Sequence, residues 1–513
     1  MREDQISQIQ DDGVQIKIGQ EIKLKKKERI DEILGIDDKG TYVASRDGDK
    51  ITISLFDHDL NLVKSNQVEL KFGSQKLKDP ILEKRGSDFV MFTDYKDKKK
   101  EMTYSYIQTL NKSSLTFSSP KIVEQISYKG FKKSESGNAT VDVCEDGTYL
   151  LVESIPAKHK KEDYFFDIKV LDVDMEEVWL MEGIKATYGD KKIEKIKLYD
   201  EQFTNKGNYY RLVKHIDKTR KYKKGEIDYT FEMEVYKATQ NEPLSFELGL
   251  DDNFITDINF EELDNGGLQF VGFYSHKGFG QNGSFSIIVD ENYEVVSTSI
   301  KEFPVDFIVQ HSSKKAKKKA KKKEAKGKEI QLSSYVLDDI IENNDGSVTL
   351  VAEEYYTYTT TTTSSDGSTS TTTHYVYGNI ILVKYNSEGN VEWMELIPKR
   401  QHGVIGGYNS GYALMKLKNG NLVLVFNDNP KNSFYEETGK FYTWKAAYKN
   451  AKYTDVVYYE ITDEGKMSRH LIYKGDEEEV ISRPFVSVEV APNEMVILAQ
   501  SKKTTKFVKL IFD

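Results

Sequence analysis

The lysines, carboxylates and tyrosines of this chain fall in patterns that suit three kinds of chemistry. Lysines concentrate in polar, turn-rich segments: Lys98, Lys99 and Lys100; Lys160 and Lys161; Lys221, Lys223 and Lys224. The run KKAKKKAKKKEAKGK at 314–328 adds Lys317, Lys318, Lys319, Lys321, Lys322 and Lys323. Such clusters suit electrostatic capture of an anionic partner: an acidic polysaccharide, an acidic protein surface or nucleic acid. Carboxylates recur at Asp31, Glu32, Asp142, Asp257, Asp338 and Asp339, in segments that read as strands. Clustered, they could hold a cation or serve as acid and base. Glycoside hydrolysis would need a pair within about 5–10 Å. Tyr355, Tyr356, Tyr358, Tyr375 and Tyr377 cluster at the two ends of a Thr/Ser tract at 357–374, and Tyr356, Tyr358 and Tyr375 are the candidates for contact. Rings that present an apolar body and a polar tip suit carbohydrate- and protein-contacting surfaces.

Other chemistry is set aside on spacing. The eight histidines include no pair at metal-ligand spacing, so no metal site is expected. Asp57/Asp59 and Asp172/Asp174 are spaced like calcium ligands but lie in hairpin turns, where Asp caps the backbone. Gly278, Gly280 and Gly283 match GxGxxG, yet they join two strands and open no helix. No nucleophile elbow, Walker loop or zinc-protease motif is present, and no cofactor is expected. Cys144 has no disulfide partner in the chain and reads as a small buried strand residue.

The elements that must position these groups are short strands in a repeat. An alternating apolar segment meets a tight Gly or Asn turn, a second strand, a variable polar loop, a third strand, another polar turn and a fourth strand. The units SYVLDDII–ENNDG–SVTLVAEEYY and ATVDVC–EDG–TYLLVESI show the first half clearly. Asp-Gly and Asn-Gly between alternating runs are hairpin signals. First turns fall at Gly40, Gly86, Gly147, Gly207, Gly266, Gly346, Gly420 and Asn493. Helical patterning is almost absent. The pattern predicts an all-β chain, one β-propeller domain over 1–513, most simply with eight four-stranded blades, seven being the rival. The last repeat has three strands, and VQIKIGQEIKL near the N-terminus offers the missing one, closing the ring. Three insertions interrupt the period: 314–328, expected as disorder or a nascent helix; 357–374, expected as a Thr/Ser hairpin; and 429–450, a loop. Propeller topology puts the short Gly/Asp turns on one face and nearly everything irregular on the other.

The chain of 513 residues carries a net charge of −10. The block 314–328 holds ten lysines and one glutamate, a local +9, so the remainder carries −19. An acidic body with no recognition motif makes nucleic acid an unlikely partner. No apolar run approaches the length of a membrane span. The N-terminus, MREDQISQIQDDG, lacks a signal peptide's apolar core. Read literally it implies a cytoplasmic protein; read as a mature chain it allows the periplasm, the cell surface or secretion.

The stretch KGKEIQLSSYVLDDIIENNDGSVTLVAEEYY, the Thr tract after it, IPKRQ at 397–401, FNDNP at 426–430 and ISRPFVS at 481–487 resemble an uncharacterised family of exported bacterial cell-envelope β-propeller proteins. The resemblance implies an exported propeller and carries over no catalytic residue. The functional expectation is a non-catalytic binding scaffold. It would use the long-looped, Lys- and Tyr-rich face and take a protein, anionic or glycan-bearing partner. The alternatives are a glycan-directed hydrolase using channel carboxylates and a structural subunit of an envelope assembly.

Overall fold

The computed structural model describes residues 7–513 apart from 12, 25–27, 49, 73, 160–164, 186–188, 191–193, 220–226, 344, 405–406, 447 and 502–503. Each Gly or Asn turn reverses the chain at a left-handed residue. All eight first-turn positions have positive φ, from +56° at Gly86 to +131° at Gly40. Gly147 shows why a side chain is excluded: a Cβ there would lie 1.9 Å from the amide nitrogen of Gly86 in the neighbouring turn. The turns therefore set both hairpin register and the approach of adjacent sheets.

The result is all-β and propeller-like. Among the described residues, eight sheets of four or more strands follow one another along the chain, antiparallel except for one parallel pair in the sixth. Their first strands are Arg29–Asp37, Lys78–Arg85, Asn138–Val143, Glu194–Phe203, Phe254–Glu262, Tyr335–Glu342, Ala413–Lys416 and Ile481–Ala491. First strands of neighbouring sheets touch: the first against the second and the eighth, the second against the third, the fifth against the sixth, the seventh against the eighth. Burial falls from the middle of a sheet to its edge. In the fifth sheet Leu268–Ser275 and Gly283–Val289 are buried throughout, whereas the fourth strand, Val295–Glu302, is almost wholly exposed. Strands buried on both faces lie between two other sheets.

The core is divided accordingly. Eight apolar clusters each span two successive sheets, and one joins the eighth sheet to the first through Ile30, Ile33, Val496, Leu498 and Phe507. The eighth sheet also takes in strands from near the start of the sequence. Strand Val14–Ile18 pairs antiparallel with Thr505–Phe512, placing Ile16 opposite Leu510. Val14, Ile16 and Ile18 are at most 3% exposed.

Connections between the second and third strands, and between sheets, carry the irregular structure. In the sixth sheet Val348–Thr363 and Thr369–Tyr385 form one long ribbon that extends beyond the sheet. Helix Lys314–Glu324 lies between the fifth and sixth sheets, capped by Ser313, whose hydroxyl accepts from the Ala316 amide at 3.3 Å. It anchors through buried Ala320, and its lysines stay in water. Segment 429–450 folds into short helical turns and a strand, Trp444–Ala446, that pairs parallel with Gln401–Gly403.

Candidate functional site

Three breaks in strand register converge where the first strands begin, at the end bearing the long loops. In the sixth sheet the register shifts between Leu337 and Asp339, so Asp338 is the extra residue. In its ribbon the register shifts between Glu353 and Tyr355. In the eighth sheet it shifts between Arg483 and Ser487, expelling Pro484, Phe485 and Val486 from the ladder. Bulges re-aim side chains that would otherwise alternate in and out. Of these residues Asp338, Glu353, Tyr355 and Phe485, with Asp339, Val336 and Tyr377 beside them and Tyr412 and Leu414 from the seventh sheet's first-strand segment, line a cavity of about 420 Å³.

The walls are aromatic and fixed. The Tyr355 and Tyr377 rings lie 4.9 Å apart, tilted by 47°. Phe485 is 63% exposed, yet its ring rests on Gly411, where a Cβ would come within 2.7 Å of it. Gly411 has φ of +78°, and its amide donates to the Gln401 carboxamide at 2.8 Å. The Ser487 hydroxyl, donating to the Pro484 carbonyl at 2.6 Å, closes the bulge beneath the ring. An exposed aromatic held this way loses little freedom on binding a ligand.

The floor is charged. Lys399 and Glu353, both buried, form an ion pair, with the Lys399 ammonium 5.6 Å from the centre of the Tyr377 ring. Burial pushes the Glu353 carboxyl up and the Lys399 ammonium down. The Tyr412 hydroxyl donates to Asp338 at 2.7 Å. Asp338 and Asp339 are both raised, chiefly by burial.

Below this mouth the space between the first strands is acidic. Burial pushes Glu32 and Glu261 each up to about 7. Glu83 and Asp142 act on successive neighbours in the same sense. Glu145, in the third sheet's turn, acts on Glu261, Asp339 and Glu489, which belong to three other sheets. Glu261 has a folded pKa above its unfolded value, so its contribution to stability is present below pH 4.5 and is lost as the pH rises through 7. Glu261→Gln keeps the carbonyl that accepts from Gln202 and removes the charge. It is expected to leave stability unchanged at pH 5 and to raise it by about 1–3 kcal/mol at pH 8. Urea denaturation at the two pH values checks this; an equal effect at both would exclude a titrating origin.

The residues singled out in the sequence are only partly gathered. Asp338 and Asp339 reach the mouth, and Glu32 and Asp142 face the acidic space. Asp31 is drawn away into ion pairs with Arg29 and Arg46 at 2.7 and 2.6 Å. Asp257 accepts from the Tyr199 hydroxyl and from the Leu337 amide. Side chains alternate along the ribbon, so Tyr375 shares the pocket side with Tyr377, and Tyr356 and Tyr358 take the other. There Tyr358 stacks on His374 at 4.4 Å, and His374 Nδ1 lies 3.0 Å from His402 Nε2. Lys98, Lys99 and Lys100 sit in the second sheet's hairpin, where Asp97 accepts from the Lys99 and Lys100 amides. Lys317, Lys318, Lys319, Lys321, Lys322 and Lys323 are on the helix before the sixth sheet, so the two groups belong to separate parts of the fold. Lys321 pairs with Asp306 at 2.8 Å, both exposed. Lys160, Lys161, Lys221, Lys223 and Lys224 lie outside the described residues. Asp57 and Asp172 cap their own turns, accepting from the Asp59 and Asp174 amides, and no metal-binding group of three or more ligands occurs among the described residues. No helix among them is long and apolar enough to cross a membrane.

Lys399, Tyr412 and Phe485 escape a sequence reading, and Tyr377 enters it only as one of the tyrosines beside the Thr/Ser tract. A proline inside a strand run, as in ISRPFVS, does mark a bulge, and it is the signal that points toward Phe485.

No family model matches the chain, and no curated protein matches it. Among solved structures it is similar to the WD40 domain of SCAP from fission yeast, at 10% identity and TM-score 0.37, covering 97% of this chain and 98% of that one. It is also similar to polysaccharide lyase Uly1, at 8% identity and TM-score 0.34, covering 84% and 89%. An uncharacterised protein from Listeria monocytogenes EGD-e aligns at 8% identity and TM-score 0.33, covering 78% and 83%.

Proposed function

We propose that the chain is a non-catalytic binding scaffold that engages a glycan-bearing partner through its long-looped face. In this reading it is an eight-bladed propeller whose last blade is closed by the N-terminal strand. The mouth pocket carries the proposal: rigid aromatic rings stand over hydrogen-bonding charged groups in a cavity of about 420 Å³. That is within the size range of ligand pockets, and its mix of apolar wall and few polar groups is the usual one. The lysine helix offers a second contact, for anionic groups on the same partner. A place in the bacterial cell envelope, as the resemblance implies, belongs to the same reading.

A hydrolase is the second reading, favoured by two burial-raised carboxyls, Asp338 and Glu353, in one pocket. Against it, Glu353 is engaged by Lys399 and Asp338 by Tyr412. Calorimetric titration of the full chain with a glucosamine hexamer, its N-acetylated counterpart and a heparin hexasaccharide separates the readings. At least one is expected to bind, without cleavage, and Phe485→Ser is expected to weaken pocket binding about 3- to 10-fold. Heparin binding through the helix should weaken as salt rises and when Lys317, Lys318 and Lys319 become glutamine. Binding of none of the three would sink the scaffold reading. Released sugar that disappears in Asp338→Asn would establish the hydrolase.

A further inference from the structure

We infer that the mouth pocket selects a positively charged glycan, one whose sugar ring carries a primary ammonium; this rests on the glycan-binding reading above. The charges at the mouth are unbalanced. Three carboxyls, Asp338, Asp339 and Glu353, line it against one ammonium, Lys399, which is ion-paired with Glu353 and also acts on Asp338 from a distance. Asp338 accepts a hydrogen bond from a neutral phenol, and Asp339 from the Ile340 amide at 2.8 Å. Among the described residues neither has a basic side chain within ion-pair distance. A desolvated carboxylate served by neutral donors is stabilised by an incoming cation and repels an incoming anion.

The space beneath strengthens the bias. Glu145, Glu261, Glu342 and Glu489 present further carboxylates to the same interior. A cleft lined by one sign of charge focuses its field toward the opening. The aromatic walls add a second requirement. The rings of Tyr355, Tyr377 and Phe485 line the cavity, and aromatic rings both attract an ammonium and pack against the carbon-bound face of a sugar. A bare alkylammonium would leave most of the 420 Å³ cavity unfilled. An aminated pyranose satisfies both demands at once, its ring on the aromatics and its ammonium at Asp338 and Asp339.

The test compares three probes on the full chain by calorimetry: the glucosamine hexamer, the N-acetylated hexamer and n-butylammonium. The glucosamine hexamer is expected to bind at least tenfold more tightly than either of the others. Asp338→Asn should weaken it at least fivefold and leave the N-acetylated hexamer nearly unchanged. Asp339→Asn serves as a second variant, and melting curves confirm that each variant is folded. Equal affinity for the two hexamers would overturn the charge selection and leave the scaffold reading standing. Butylammonium binding as tightly as the hexamer would overturn the sugar requirement. Binding of neither hexamer would overturn this inference, and the scaffold reading falls with it only if the heparin hexasaccharide also fails to bind.

Discussion

Replacing Lys399 with methionine is expected to lower the free energy of unfolding by about 3–5 kcal/mol. The side chain of Lys399 is fully buried and that of Glu353 is 6% exposed, so neither has water to fall back on. Methionine fits the stem's place beside Tyr377 and Phe426, which isolates the lost charge as the cause. Glu353 would then be a buried carboxylate without a counter-charge. Its folded pKa would rise further above the 4.5 of the unfolded chain, and the stability it contributes below that value would be lost as pH rises. The defect is therefore expected to be larger at pH 8 than at pH 5. Removing both charges, in Lys399→Met with Glu353→Gln, should restore most of the loss, because an empty pair costs far less than half of one. Urea denaturation of the four proteins completes the cycle. A double variant no more stable than Lys399→Met would show that the lysine acts through packing and not through Glu353.

Deleting residues 1–18 is the second large effect. It uncovers the edge of Thr505–Phe512 and removes three side chains that are at most 3% exposed. At about 1.5–3 kcal/mol for each buried side chain, the loss is about 5–9 kcal/mol, comparable to the whole stability of many proteins. The truncated chain is expected to lose its cooperative melt or to aggregate through the open strand edge. Ile16→Ala gives a graded version, costing about 2–5 kcal/mol. If the deletion melts like the full chain, the N-terminal strand does not hold the eighth sheet together.

The fold is legible in the sequence because its signals are local. Each Asp-Gly or Asn-Gly turn lies between two alternating runs, and the eight turn residues all adopt the left-handed conformation that their type allows. The site is less legible because alternation fails there. Asp338 reaches the mouth as the extra residue of a bulge, and Phe485 as one of three residues expelled from a ladder. A period-two reading puts such residues on a definite face, and the register shift overrides it. Lys399 reads as one more surface lysine until the fold sets it against Glu353, 46 positions earlier in the chain. His374 and His402 illustrate the same limit. They are 28 residues apart, on strands that pair only because the chain returns from the ribbon. The segments quoted for the family resemblance supply Asp338, Glu353, Tyr355, Lys399 and Phe485. They look unrelated along the chain and meet at one opening.

The pairing of Val14–Ile18 with Thr505–Phe512 also sets an order of events. Seven sheets lie in sequence between Ile16 and Leu510, so this contact is strongly non-local. During synthesis the first strand emerges long before its partner, and the first seven sheets can form their hairpins while it waits. Pairing needs both strands, so it is expected to follow the hairpins that lie between them in the sequence. Interactions made only after the transition state slow unfolding without speeding folding. Strands Val14–Ile18 and Thr505–Phe512 thus act as a clasp on the eighth sheet, and strengthening their pairing is expected to slow unfolding more than it speeds folding.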